Sequence, residues 1–148
     1  MKTTIPLPQK LLFAATGNLE KTISLLTGSE TAVRILEQID LHDVISRSVS
    51  IVLKENDIKL VSARSNIYPS FLPEKIVKRI REKHESIGDI LDSERLEIFK
   101  SITSLGYDPG NKSYFKVYNI IFNSNIAISL EEYFEASLYE RINFGPSV

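Results

Sequence analysis

Two charges sit where a strand pattern calls for apolar residues. In Ile45-Ser46-Arg47-Ser48-Val49-Ser50-Ile51-Val52-Leu53 the odd positions read Ile, Arg, Val, Ile, Leu, while the even ones are mostly Ser. Side chains alternate faces along a strand, so Arg47 points the way Val49, Ile51 and Leu53 point. In Ile126-Ala127-Ile128-Ser129-Leu130-Glu131-Glu132-Tyr133-Phe134 the even positions read Ile, Ile, Leu, Glu, Phe. Glu132 therefore lies on the apolar parity and Glu131 on the polar one. Desolvating a charge is costly unless it finds a partner, so an inward Arg and an inward Glu mean either a buried ion pair or a polar pocket. Arg47 suits a carboxylate, because its planar fork meets two oxygens with parallel hydrogen bonds. A pocket Glu132 can accept a hydrogen bond from a hydroxyl or move a proton. Arg64 shares parity with Ile58 and Leu60; it either pairs with Glu37 or Glu132 or lines the same pocket.

Other chemistries find little support. The chain has no cysteine, which excludes disulfides, thiolate metal sites and Cys nucleophiles. His42 and His84 stand alone, without ligand spacing, so neither a metal nor another cofactor is expected. A formal net charge of -1 gives no general basic field for nucleic acid. The basic stretch Lys75, Lys78, Arg79, Arg81, Lys83 is interrupted by Glu74, Glu82 and Glu85 and reads as a solvated helix face. Apolar runs such as Leu11-Leu12-Phe13-Ala14-Ala15 are too short to span a bilayer. The start, Met1 to Pro6, lacks the long apolar stretch of a secretory signal, so a cytoplasmic protein is the default expectation. At 148 residues, 43% hydrophobic and 25% charged, the chain can build one real core.

The elements that must position these charges follow from periodicity. Leu7 to Phe13 reads as a short helix. Thr16-Gly17-Asn18 is a turn and N-cap leading into a helix whose Leu19, Ile23 and Leu26 share a face, ended by Thr27-Gly28-Ser29. Thr31 to Asp40 is a first strand, with Val33, Ile35 and Glu37 on one side. Val44–Leu53 and Ile58–Ile67 form a hairpin across Lys54-Glu55-Asn56-Asp57. Ser70 to Glu74 opens a helix carrying Ile76, Val77 and Ile80 on one face. A short apolar piece, Ser86-Ile87-Gly88-Asp89-Ile90-Leu91, precedes a further helix predicted over Ser93 to Ile102. After the turn at Tyr107-Asp108-Pro109-Gly110-Asn111, Lys112–Phe122 and Ile126–Phe134 pair as a second hairpin. No repeat or long linker divides the chain, so residues 1–148 are expected to form a single α+β domain. Its antiparallel sheet should have about five to six strands, with helices packed on one face.

Laid out in this order, the chain resembles the chorismate–pyruvate lyase superfamily, above all its short archaeal and bacterial lyase-like members, over roughly Leu11 to Tyr139. The resemblance rests on Leu25-Leu26-Thr27-Gly28-Ser29 entering a strand, on Ser46 to Leu53 with the returning strand Leu60 to Ile67, on Ser86 to Leu91, and on Leu130-Glu131-Glu132-Tyr133-Phe134. It implies a small antiparallel sheet whose buried pocket binds an aromatic acid behind mobile flaps. Arg47 would hold a substrate carboxylate, Glu132 would face the same pocket, and the backbone at Ile87 beside Gly88 would meet the ligand. The implied reaction eliminates pyruvate from chorismate to give 4-hydroxybenzoate, without cofactor or metal. Its partner is a small-molecule aromatic carboxylate, with no nucleic acid and no membrane span, and the protein would be a monomer or homodimer. Transcription-factor effector domains share this fold, so a non-catalytic module that binds or senses an aromatic carboxylate is the alternative. The chain departs from the family pattern in Ser86, in the Arg-free stretch of Glu97 and Phe99, in Lys112, and in Glu135 after the last strand.

Overall fold

The computed structural model describes residues 17–142; the helix expected over Leu7 to Phe13 lies outside them. The first element is helix α1 (Leu19–Thr27). The Asn18 side chain caps it by accepting from the Lys21 N–H, and Gly28 ends it in the left-handed conformation (φ 66°) that a residue without Cβ adopts most cheaply. Strands β1 (Thr31–Asp40), β2 (Ile45–Leu53) and β3 (Lys59–Ile67) follow as an antiparallel meander. A 3₁₀ turn at Pro69–Phe71 leads to helices α2 (Glu74–Arg81) and α3 (Ile87–Ser93). A second meander, β4 (Phe99–Asp108), β5 (Ser113–Phe122) and β6 (Asn125–Phe134), precedes helix α4 (Ala136–Arg141). The β5–β6 turn is two residues, Asn123 and Ser124, both at positive φ, as a tight hairpin that follows the sheet twist requires. Antiparallel pairing of β3 with β6 joins the two meanders into one six-stranded sheet, order β1-β2-β3-β6-β5-β4, with the helices on one face. This is the α+β architecture that the sequence pattern predicts.

Under the helices the inner face is banded. One apolar band gathers Ile45, Ile67, Ile128 and Ile120 beneath α2 and α3; another gathers Ile51, Val61 and Phe134 beneath α1 and α4. Two cross-strand rows run between them. The first pairs Gln38, Arg47, Ser65, Leu130, Tyr118 and Ile102; the second pairs Ile35, Val49, Ala63, Glu132, Lys116 and Leu105. Arg47, Ser65, Lys116 and Glu132 thus share a strip between two oily walls, where hydrophobic burial holds the sheet and helices together on either side.

Four β-bulges correct the sequence reading; the one in β6, at Ala127, turns Ile126 out to 45% exposure although it was expected to point inward with Ile128. In β1 the pairing slips between Ile35 and Glu37, leaving Leu36 as the extra residue, 66% exposed. The slip inverts the parity of everything after it, so Glu37 turns outward and Gln38 inward. In β3 Leu60 is the extra residue, since Ile51 pairs with Val61 and Val52 with Lys59. Leu60 and Val61 are both fully buried, and beyond them Ala63, Ser65 and Ile67 hold the inner face. Arg64 is consequently exposed on the outer face, registered between Ser48 and Glu131, rather than sharing a side with the inward residues. The third bulge, at Thr103, lies in a region expected to be helical. The helix predicted over Ser93 to Ile102 ends instead at Ser93, and strand β4 begins at Phe99. Arg95 (φ 52°) breaks the helical run, and the bulge places Ile102 and Leu105 on the same face three residues apart, imitating helical spacing.

Glycine is required once in β4. A Cβ on Gly106 would lie 2.8 Å from Cζ of Phe115, whose ring packs against Tyr133 on the outer face. Gly106→Ala is expected to lower unfolding stability by about 1–3 kcal/mol, the usual penalty of overpacking. Denaturant titration checks this, and pairing it with Phe115→Leu should recover most of the loss.

Candidate functional site

A cavity of about 210 Å³ opens over the polar strip, bounded by the N-terminal ends of α1 and α3 and by the inner faces of β2, β3, β6 and β5. That volume lies below the range usual for drug-sized ligands and suits one ring with short substituents. Arg47, Ser65, Ile87, Gly88, Lys100, Tyr118 and Glu132 all line it; Arg64 does not.

Arg47 is 2% exposed. Its Nε donates to Oε1 of Gln38 (2.7 Å), Nη1 to the carbonyl of Glu85 (2.8 Å) and Nη2 to the carbonyl of Ile80 (2.9 Å). Gln38, delivered inward by the β1 bulge, also donates to the Ile80 carbonyl (3.0 Å). These acceptors are all neutral oxygens, and no carboxylate among the described residues lies within ion-pair distance of the guanidinium. Burial pulls its pKa down to about 10, with no anion offsetting the shift, so it stays protonated at neutral pH.

The Glu85 carbonyl is held in place from outside. Arg79 grips the Glu85 carboxylate through Nε (2.8 Å) and Nη2 (2.6 Å), and reaches Glu94 (3.0 Å) and Ser93 (2.7 Å) through Nη1. Arg79 holds the Glu85 carboxyl below the usual carboxylate range; Lys75 and then Arg79 do the same for Glu94. A carboxyl lowered in the folded state contributes stability that is present above its unfolded value, 4.5, and is lost as pH falls through the folded value. Arg79→Ala is therefore expected to flatten the acid limb of stability. Melting temperature followed from about pH 6 to about pH 3 should fall less steeply than in the parent protein.

Glu132 is 5% exposed, two strands and two residues away from Arg47, roughly 12 Å between backbones at ordinary sheet spacing. It forms no ion pair with Arg47. Its Oε2 accepts from the Tyr118 hydroxyl at 2.8 Å. Burial pushes the carboxyl pKa up, while the Tyr118 hydrogen bond and then Lys116 and Lys100 pull it back. Burial also pushes the Tyr118 phenol up and the Lys116 and Lys100 ammonium groups down. The two lysines bracket the Tyr118 ring, Lys116 Nζ 4.9 Å and Lys100 Nζ 5.6 Å from its centre. Of the two choices posed by inward charges, the structure presents a polar pocket.

Ile87 and Gly88 open α3 after Ser86, whose Oγ accepts from the Asp89 N–H (3.1 Å). A Cβ on Gly88 would come within 3.0 Å of Asn18 Nδ2, which donates to Oδ1 of Asp89 (2.9 Å). The cap of α1 thereby clasps the first turn of α3 across the cavity mouth. The short span Ile87–Ser93 is set by Ser86 at one end and Arg95 at the other, and turns its backbone start toward the cavity.

Gln38, Lys100, Lys116 and the polar role of Tyr118 escaped the sequence reading. Lys116 was open to the same parity argument as Arg47, since Tyr114, Lys116, Tyr118 and Ile120 alternate on one face. Gln38 and Lys100 were hidden by the bulges of their strands.

The chain is similar to a chorismate pyruvate-lyase. That protein, from Mycobacterium leprae (strain TN), is 23% identical over 158 aligned residues, covering 88% of this chain and 75% of the relative. No family model matches the chain. Among solved structures, a possible transcriptional regulator, YydK, from Bacillus subtilis superposes with a TM-score of 0.50 at 12% identity, covering 80% of this chain and 62% of that one. The ligand-binding domain of a GntR-family transcriptional regulator from Bordetella bronchiseptica gives 0.48 at 9% identity, covering 80% and 91%. At these identities the structural likeness concerns the fold alone.

Proposed function

We propose that the cavity binds a small aromatic carboxylate and that the protein eliminates pyruvate from chorismate or a related enolpyruvyl ether. The observation that carries this reading is Arg47, a buried guanidinium whose hydrogen bonds all end on neutral oxygens in the wall of a cavity. A buried charge without a counter-ion is expensive, and a bound carboxylate would supply that counter-ion through the guanidinium N–H groups left over. The likeness to a chorismate pyruvate-lyase names a substrate that fits this demand.

In that reaction the ring carbon bearing the hydroxyl loses its proton, and the freed electron pair forms the last ring double bond. The neighbouring ether C–O bond breaks, and enolpyruvate leaves to become pyruvate. Aromatisation drives the step, so the protein's task is to orient the ring, exclude water and balance moving charge. Arg47 would fix the ring carboxylate. Glu132, backed by Tyr118 and Lys116, would face the hydroxyl end and accept its hydrogen bond or the departing proton. Ile87 and Gly88 would offer first-turn N–H groups that have no acceptor inside α3.

The test is to mix purified protein with chorismate and to assay pyruvate and 4-hydroxybenzoate. Both should appear in equal amounts; no product over hours at high protein concentration would sink the lyase reading. Thermal stabilisation by 4-hydroxybenzoate without turnover would favour the second reading, a binding or sensing module, for which the regulator-like fold of YydK speaks.

A further inference from the structure

Lys100 is the only cation among the described residues, besides Arg47, to line the cavity. It projects from β4 onto the inner face, half-buried, in register with Ile120, and its Nζ donates to the Gly17 carbonyl at the mouth (3.1 Å). The charges around the cavity are unevenly placed. Arg47, Lys100 and Lys116 stand against one buried carboxylate, Glu132. Lys116 is the direct cross-strand neighbour of Glu132 and offsets it. Arg47 and Lys100 are left on opposite sides of the cavity, one on β2 and the other on β4. Two further carboxylates, Glu20 and Asp92, line the rim. Glu20 accepts from Thr31 (2.8 Å), and Asp92, 55% exposed, lies 4.0 Å from Lys21. Two cations that face one cavity from opposite sides are matched by a ligand carrying a carboxylate at each end.

We infer that Lys100 forms a second anion subsite, which takes the other carboxylate of a dianionic ring ligand whose first carboxylate sits on Arg47. The inference rests on the proposed function and extends it to discrimination between substrate and product. The substrate class carries two carboxylates, whereas 4-hydroxybenzoate carries one. Once the side-chain carboxylate departs with pyruvate, Lys100 loses its partner and returns to the Gly17 carbonyl, and the monoacid is held from one end only.

The experiment compares two unreactive probes that differ by one carboxylate, 4-hydroxyisophthalate and 4-hydroxybenzoate, by calorimetric titration. The parent protein should bind the dicarboxylate at least about tenfold more tightly. Lys100→Gln, which keeps a donor for the Gly17 carbonyl, should erase that preference and leave 4-hydroxybenzoate affinity within about twofold, while Lys100→Arg should retain it. Equal affinity of the parent for both probes, or an equal loss of both in Lys100→Gln, overturns the subsite. Failure of the parent to bind either probe overturns the aromatic-carboxylate reading itself, and the subsite with it. Melting temperatures of the two variants serve as the fold control.

Discussion

Arg47→Met is expected to remove binding of 4-hydroxybenzoate and turnover of chorismate by at least about a hundredfold, because a carboxylate partner in a desolvated site is worth roughly 3 kcal/mol or more. The expected effect on folding is far smaller. Three neutral oxygens lose a donor, which is unfavourable, but an uncompensated buried charge is also removed. The two terms oppose each other, so the net change should stay within about 2 kcal/mol and can take either sign. Arg47→Ala lacks this balance, since it also opens a hole beneath α2, and should destabilise more. Calorimetric titration beside denaturant unfolding separates the roles. If Arg47→Met lost stability in proportion to affinity, Arg47 would be a structural clasp for the Ile80 and Glu85 carbonyls rather than a ligand anchor.

Glu132→Gln should show the complementary pattern. Turnover is expected to fall by about 10²–10⁴-fold, the usual contribution of a positioned acid or base. Stability at neutral pH is set by two opposing changes, relief of a buried carboxylate and loss of the counter-charge of Lys116, and should change little. Burial elevates the Glu132 pKa, so its contribution to folding is fully present below the unfolded value of 4.5 and is lost as pH rises through the folded value. A neutral amide escapes that loss. The stability of Glu132→Gln relative to the parent should therefore rise from pH 4.5 toward neutrality, as urea midpoints across the range would show. A variant that is inactive and equally destabilised at every pH would place Glu132 in the scaffold.

The inward placement of both residues could be read from the sequence because β2 and β6 are regular through Arg47 and Glu132. In each, period-two alternation persists on either side of the charge, and parity carries straight to burial. The same logic misled wherever a single residue was inserted. Arg64 was judged from Ile58 and Leu60, which precede the β3 bulge, and lies in the opposite phase after it. Glu37 and Gln38 exchange faces across Leu36 for the same reason. β4 was obscured twice, by a left-handed Arg95 that no glycine announces and by a bulge that spaces Ile102 and Leu105 like a helix. A bulge is decided by how two strands pair, and that information is spread over residues far apart in the chain. The clasp of Asn18 on α3 is of this long-range kind too, linking positions 71 residues apart.

The bulge at Leu36 has a consequence for how such a site is kept open. Were β1 to pair with β2 without the slip, Leu36 would lie opposite Ser48 and Glu37 would take the position that Gln38 now occupies, opposite Arg47. The guanidinium would then find an anion within its own chain, and the demand for one from solution would end. A one-residue change in phase thus separates a vacancy for a guest's charge from a self-neutralised core. At Gln38 the fold supplies Arg47 with a dipole but withholds a charge.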